Sequence, residues 1–298
     1  MTVVVAVLGI SAVAVLAFGW FVGERGRYHP STWDFFRQSG LHWRTLHGYV
    51  YARWTPQYIR TLFALPGRGA GAQWLADRYH GKVLTHEHAR AVVEVGEPVV
   101  VADLEQIVPF PVARELVLDA PADVVLYECV CRHARPAHCE PTQVCMVIGK
   151  PMTDFILGHQ PGRARRIDKD EALAVLAAEH ARGHVHSAWF KDAMLGRFYA
   201  ICNCCPCCCG GIAMMRSGVR MVAPSGFVAD IDRETCVACG ECVQACPFGA
   251  LAIEAGGVTR DRERCMGCGV CETRCAVDAI SLVRDDSRGI PLDVRALA

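Results

Sequence analysis

Eight cysteines near the C-terminus fall into two runs of identical spacing. Cys236, Cys239, Cys242 and Cys246 form the first, and Cys265, Cys268, Cys271 and Cys275 the second; both read C-x2-C-x2-C-x3-C. Three thiolates so spaced can cap three iron corners of one cubane, while the fourth points away and reaches the other cluster. This assigns one 4Fe–4S cluster to Cys236, Cys239, Cys242 and Cys275, and a second to Cys265, Cys268, Cys271 and Cys246. A lone C-x2-C would also suit zinc. The full spacing in two copies is that of cluster ligation.

The stretch is an internal repeat. Asp232-Arg233-Glu234 recurs as Asp261-Arg262-Glu263 before each first cysteine, and Ala250-Leu251-Ala252-Ile253 recurs as Ala279-Ile280-Ser281-Leu282 after each last one. Each half reads as strand, ligand loop, short helix, strand. Over about 55 residues the stretch resembles the bacterial-type two-cluster ferredoxins, which implies one-electron transfer between two neighbouring 4Fe–4S clusters. One departure is visible: the first run ends Cys246-Pro247, as in the family pattern, but the second ends Cys275-Ala276. Alanine restores a backbone N–H that proline lacks, and a donor near a cluster sulfur would raise that site's potential.

The chain has 298 residues, room for two modest domains and an anchor. Its formal charge is zero, so no basic field argues for nucleic acid as a partner. Eighteen cysteines could mark a secreted disulfide scaffold. Cluster spacing and chain length argue instead for thiols kept reduced. The 52% hydrophobic content points toward a membrane contact.

Residues 3–22 carry no charge, a run long enough to span a bilayer as a helix. No cationic segment precedes it, which argues against a cleaved signal peptide. Arg25, Arg27 and His29 follow it, and the positive-inside rule then places the bulk of the chain in the cytoplasm. The expectation is a single-pass protein of the cell inner membrane, with residues 1–23 as the anchor. Residues 24–71 form an arm and linker rich in arginine, tryptophan and tyrosine. Such an arm suits a membrane–water interface, or equally a helical arm packed on its own domain. His42 and His47 could pair on a haem, although ordinary polar packing accounts for them more simply.

Residues 72–228 read as a mixed α+β domain. Thr85 can cap a short helix, residues 124–127 and 144–148 read as buried strands, and Asp168 with Glu171 forms a capping box for a helix over 169–182. This domain holds the other ten cysteines: Cys129, Cys131, Cys139 and Cys145, then Cys202, Cys204, Cys205, Cys207, Cys208 and Cys209. Soft thiolates concentrated this way point to metal. The expectation is at least one further iron–sulfur cluster, or a zinc site, on a ligand set drawn from both groups. Structural cysteines and redox-active dithiols are the alternatives. The domain looks like cysteine-rich domains found beside ferredoxin modules, a resemblance that supplies no activity. His184 and His186 alternate on a strand and could supply a proton or a ligand, or simply be hydrogen-bonded. Arg163, Arg165 and Arg166 make a small basic patch able to dock an acidic partner.

The expected fold class is therefore α+β: an N-terminal transmembrane helix, a cysteine-rich α+β domain, and a two-cluster module with a charged tail over 229–298, the tail covering the module. No dinucleotide fingerprint, Walker motif, nucleophile elbow or H-E-x-x-H is present. The expected function is that of an anchored iron–sulfur subunit of an oxidoreductase, relaying single electrons between a soluble donor and a membrane redox partner. The alternative is a reductase of disulfides or sulfur with the central cysteines as its catalytic centre. Metal storage or cluster delivery is a third reading.

Overall fold

The computed structural model describes residues 14–19, 23–24, 27–64, 70–102, 104–110 and 115–297. A seven-stranded sheet forms the centre. In spatial order its strands are Val222–Ala223, Tyr79–Val83, Val185–Lys191, Phe198–Cys204, Gln143–Ile148, Val124–Glu128 and Ala164–Ile167. All neighbours are antiparallel except the first pair, Val222–Ala223 with Tyr79–Val83. Val124–Glu128 and Gln143–Ile148 are largely apolar, and Val185–Lys191, although it carries His186, Ser187 and Lys191, is buried at every position.

Period-two alternation sorts the side chains onto two layers. Tyr127, Val147, Trp189 and Ala200 face a layer that includes Phe35, Tyr49, Tyr51 and Ile59 of the arm. Leu126, Met146, Phe190 and Ile201 face the opposite layer, with Val92 of the helix His86–Val93 and Leu176 of the helix Lys169–Ala181. Both helices start as their sequences dictate. The Thr85 hydroxyl accepts from His88 N (3.2 Å), and Asp168 Oδ1 accepts from Glu171 N (2.8 Å). The Glu171 side chain completes no capping box; it pairs with Arg165 instead.

The arm forms three helices, Pro30–Ser39, Trp43–Arg53 and Thr55–Ala64. Its aromatic residues divide between core and solvent. Phe35, Tyr49 and Tyr51 are buried against the sheet domain, while Trp33 and Trp43 are exposed. His42 caps the helix Trp43–Arg53 by accepting from Thr45 N, and His47 Nε2 lies 3.0 Å from the Tyr58 hydroxyl. Both imidazoles serve polar packing.

One expectation needs correction. Among the described residues no helix is long and apolar enough to cross a membrane. Within the apolar run only residues 14–19 are described as helical. The remainder of the transmembrane-helix expectation, residues 3–13 and 20–22, lies outside the described residues. The single-pass inner-membrane placement therefore loses the element it rested on. The charged tail begins on the module, where Asp285 pairs with Arg262 and Arg288 Nη2 donates to Cys265 O at 2.8 Å, and then runs on to the sheet domain. Leu292 and Val294 join the sheet domain's core, and Arg295 pairs with Glu87 at 2.8 Å. It covers the helix His86–Val93 because its two buried aliphatic residues complete that layer.

The C-terminal module repeats strand, loop, short helix, strand. Phe227–Ile231 pairs with Ile280–Arg284, Leu251–Glu254 pairs with Gly257–Arg260, and the helices are Glu241–Ala245 and Val270–Thr273. Phe248, Met266, Cys268 and Val270 share a continuous core with Cys204 and Cys209 of the sheet domain. The module thus turns its second ligand loop toward the central cysteines.

Candidate metal centres

In the module, Cys246 of the first run lines one small cavity together with Cys265, Cys268 and Cys271 of the second. The last cysteine of the first run thus sits with the first three of the other. Cys242 lies within electrostatic reach of Cys236 and Cys239, and Cys236 and Cys275 both pack against the module's core. Backbone amides reach the sulfurs at equivalent places in the two halves: Ala250 N to Cys246 Sγ at 3.3 Å and Ala279 N to Cys275 Sγ at 3.2 Å. Burial pushes the Cys271 thiol up to about 12 and Cys268 up as well. Apolar burial disfavours bare thiolates, so bound iron would be what holds them deprotonated. The donor set, its softness and its amide donors fit two cubanes.

The ten central cysteines separate into two sets. Cys139, Cys205, Cys207 and Cys208 have sulfurs all within 4.8 Å of one another. Cys139 comes from the loop after the helix Val130–His133, and the other three from the loop after the strand Phe198–Cys204. The set therefore joins both sequence groups. It lies near the surface: Cys207 is exposed, and its sulfur is 3.5 Å from that of Cys208. Burial raises the Cys139 thiol to about 11. At Cys207 burial also acts upward, but contacts from Cys208, Cys139 and Cys205 outweigh it and favour the thiolate.

The other six line a cavity of about 240 Å³ beneath the arm, to which Cys205 of the first set also contributes. Cys145 and Cys202 come from adjacent strands; the register pairs their neighbours Met146 and Ile201. Cys204 follows Cys202 by two residues and so shares its face. Cys129 and Cys209 are the N-caps of Val130–His133 and Gly210–Arg216, and Cys131 lies in the first of these helices. The thiols contact one another in series, Cys131 to Cys129 to Cys145 to Cys202 to Cys204 to Cys209. Cys129 and Cys204 each have two thiol neighbours donating to them, which lowers both well below the ordinary thiol value.

Arg132 is fully buried beside both sets. Its guanidinium donates to Glu179 Oε2 (2.9 Å), Asn203 O (3.3 Å) and Pro141 O, and it lies 3.2 Å from His184 Nδ1. Burial pushes the Glu179 carboxyl up, and its bonds to His184 and Arg132 more than reverse this. Sequence reasoning gave Arg132 no role. It missed Lys191, whose Nζ is buried with no hydrogen-bond partner among the described residues, 3.3 Å and 4.0 Å from the ring centroids of Tyr51 and Tyr79. Lysine is so rarely buried that the end of an apolar strand gives no warning of it. The Arg163, Arg165 and Arg166 patch offers little free charge: Arg165 is paired with Glu171, and Arg166 with Asp123 and Asp154.

His184 and His186 have separate partners. His184 Nδ1 meets Glu179 at 2.6 Å; His186 Nδ1 meets Asn203 Oδ1 at 2.6 Å, and its Nε2 meets His86 Nδ1 at 3.1 Å. His180 joins them, with Nε2 2.6 Å from Thr273 Oγ1 of the module. The His86 and His180 rings are stacked only 16° from parallel. Their in-plane lone pairs run side by side rather than converging, so this trio reads as packing between sheet domain and module.

The trio makes the fold acid-sensitive. Burial lowers His186 to about 3, against the opposing Asn203 bond, and burial with the nearby His86 lowers His180 to about 4. In the unfolded chain both titrate near 6.5. Below that pH the unfolded state binds more protons, so stability falls as pH drops toward 3–4 and is unaffected above about 6.5. For the buried His186 the slope is about 1.4 kcal/mol per pH unit. The urea midpoint at pH 5 is expected to lie below that at pH 7.5, and His186→Asn should flatten the difference. Equal midpoints in the unmodified protein would contradict this assignment.

The 4Fe-4S dicluster domain family matches residues 229–282. The match spans the C-terminal module, which is accordingly a ferredoxin-like iron–sulfur module. No curated protein matches the chain.

Proposed function

We propose that the protein is a one-electron relay in which the module's two clusters exchange electrons with a third centre on Cys139, Cys205, Cys207 and Cys208. Each bound 4Fe–4S cluster takes up and releases one electron at a time. The observation that carries the reading is Arg216. Its Nη1 donates to Pro206 O (2.9 Å), inside the outer thiol loop, and its Nε donates to Pro247 O (3.0 Å), next to Cys246. One guanidinium thus clamps the two ligand loops together, over a shared apolar core that excludes water. Eight cysteines supply four per cubane, which leaves no iron corner open to a substrate and suits outer-sphere transfer. The exposed face at Cys207 is the natural entry or exit for a partner protein. Net chemistry then belongs to redox partners, with the flavin, quinone or haem site in an oxidoreductase subunit that docks on this chain.

The exposed Cys207, with its thiolate favoured, also supports the second reading, a reductase acting on disulfides or sulfur. Steady-state assays separate the two. A relay is reduced by a low-potential donor and reoxidised by an acceptor, yet turns over no disulfide, sulfur or quinone alone. Sustained turnover abolished by Cys207→Ser would make the outer loop an active site. Arg216→Ala should slow internal electron transfer on the order of tenfold while leaving iron content unchanged. An unchanged rate would remove the clamp from the account.

A further inference from the structure

The six thiols beneath the arm are not needed by the outer set, and their surroundings are those of an occupied site. They come from two adjacent strands, two helix N-caps and the first turn of one of those helices, and meet around one cavity of about 240 Å³ whose wall Cys205 also joins. Much of the remaining wall is apolar or aromatic, including Ile59, Val147, Ile156 and Trp189. An apolar cavity of this size left empty forfeits packing on every side.

A second observation is electrical. Lys191 Nζ is buried, has no hydrogen-bond partner among the described residues, and lies against the faces of Tyr51, Tyr58 and Tyr79; burial pushes it well below the ordinary lysine value. Its nearest opposite charges would be thiolates at Cys131 and Cys202. A neighbouring anion is what would keep this buried amine charged. A thiolate-ligated iron–sulfur cluster carries net negative charge and would supply one. Arg132, on the Cys129 side, adds a second fixed cation.

We propose that Cys129, Cys131, Cys145, Cys202, Cys204 and Cys209 hold a buried iron–sulfur centre, distinct from that of Cys139, Cys205, Cys207 and Cys208. The proposal deepens the relay reading and rests on its premise that the central thiols bind metal. Soft thiolates select iron–sulfur, zinc or copper(I). A single zinc ion takes four thiolates and would leave most of the cavity unfilled; a polynuclear cluster fills it. The centre lies against the module as well, because Cys204 and Cys209 share a core with Cys268.

The test is iron and zinc analysis with Mössbauer and EPR spectroscopy on the full chain purified without oxygen. About sixteen irons per chain are expected, four for each of four cubanes. Cys145→Ser with Cys204→Ser should lose about a quarter of the iron and one spectral component, with the module's signals intact. Cys207→Ser with Cys208→Ser should lose a different component. If the inner pair of substitutions leaves iron and spectra unchanged, the inner centre does not exist. If the outer pair leaves them unchanged while the inner pair does not, the relay's outer centre fails and this proposal stands. A total of about eight irons removes both. Should the inner variant not fold, Lys191→Met leaves every thiol in place. It should shift one component's potential downward in a redox titration at constant iron content, and no shift in any component would overturn the proposal.

Discussion

Arg132→Leu is expected to destabilise the cysteine-rich domain by about 3–5 kcal/mol, a large part of the ~5–15 kcal/mol that holds a typical domain folded. The guanidinium is fully buried and answers a buried carboxylate. Removing it leaves Glu179 with His184 and Arg182 alone, and strips the Asn203 and Pro141 carbonyls of their charged donor. Asn203 lies between Cys202 and Cys204, and Pro141 lies two residues beyond Cys139. Both thiol sets lose backbone support at once. Denaturant unfolding of the full chain should show the loss, together with central iron lost faster to a chelator than module iron. Lysine should rescue only partly, because one ammonium cannot reproduce the planar fork. A midpoint within error of the unmodified protein would show that Arg132 does not organise the domain.

Gly267→Ala is expected to break the module's second ligand loop. Gly267 lies between Cys265 and Cys268 with φ of +61°, a left-handed conformation that disfavours any side chain. A Cβ there would also overlap the Phe227 carbonyl oxygen and the Ser225 hydroxyl. Those atoms belong to the seam with the sheet domain, where Ser225 Oγ donates to Gly267 O at 2.7 Å and Ser225 N donates to Met266 O at 3.1 Å. Backbone cannot yield as the tip of a long side chain would. The left-handed strain contributes about 1–2 kcal/mol, and the overlap adds to it. The variant should lose the iron of one module cluster, and with it the spin coupling between the two reduced clusters. Full iron content with coupled signals would show that the loop has room the structure does not indicate.

Much of this was legible in particular residues. The duplicated cysteine spacing, with its repeated Asp-Arg-Glu entries, gave the element order of each module half before any coordinates. Thr85 and Asp168 marked two helix starts because a capping side chain acts within three residues of itself. The partition of the ten central cysteines was not legible. Period-two alternation puts Cys202 and Cys204 on one sheet face, yet the turn after Cys204 carries Cys205, Cys207 and Cys208 to Cys139, with only Cys207 exposed. That division depends on where the strand stops, which spacing alone does not specify. Lys191 and Arg216 were invisible because their roles arise from contacts between distant segments. The apolar run at residues 3–22 misled through length: absence of charge permits a spanning helix without requiring one.

The relay account stands most directly on whether the outer thiols carry a redox-active centre that exchanges electrons with the module. Rapid-freeze EPR of the oxygen-free full chain, mixed with a low-potential donor, measures this. The account predicts that the module's coupled signals and a further signal interconvert within one sample. It also predicts that Cys207→Ser with Cys208→Ser deletes the further signal while the module still reduces. A zinc ion on those four thiols, with electrons confined to the module, would contradict it.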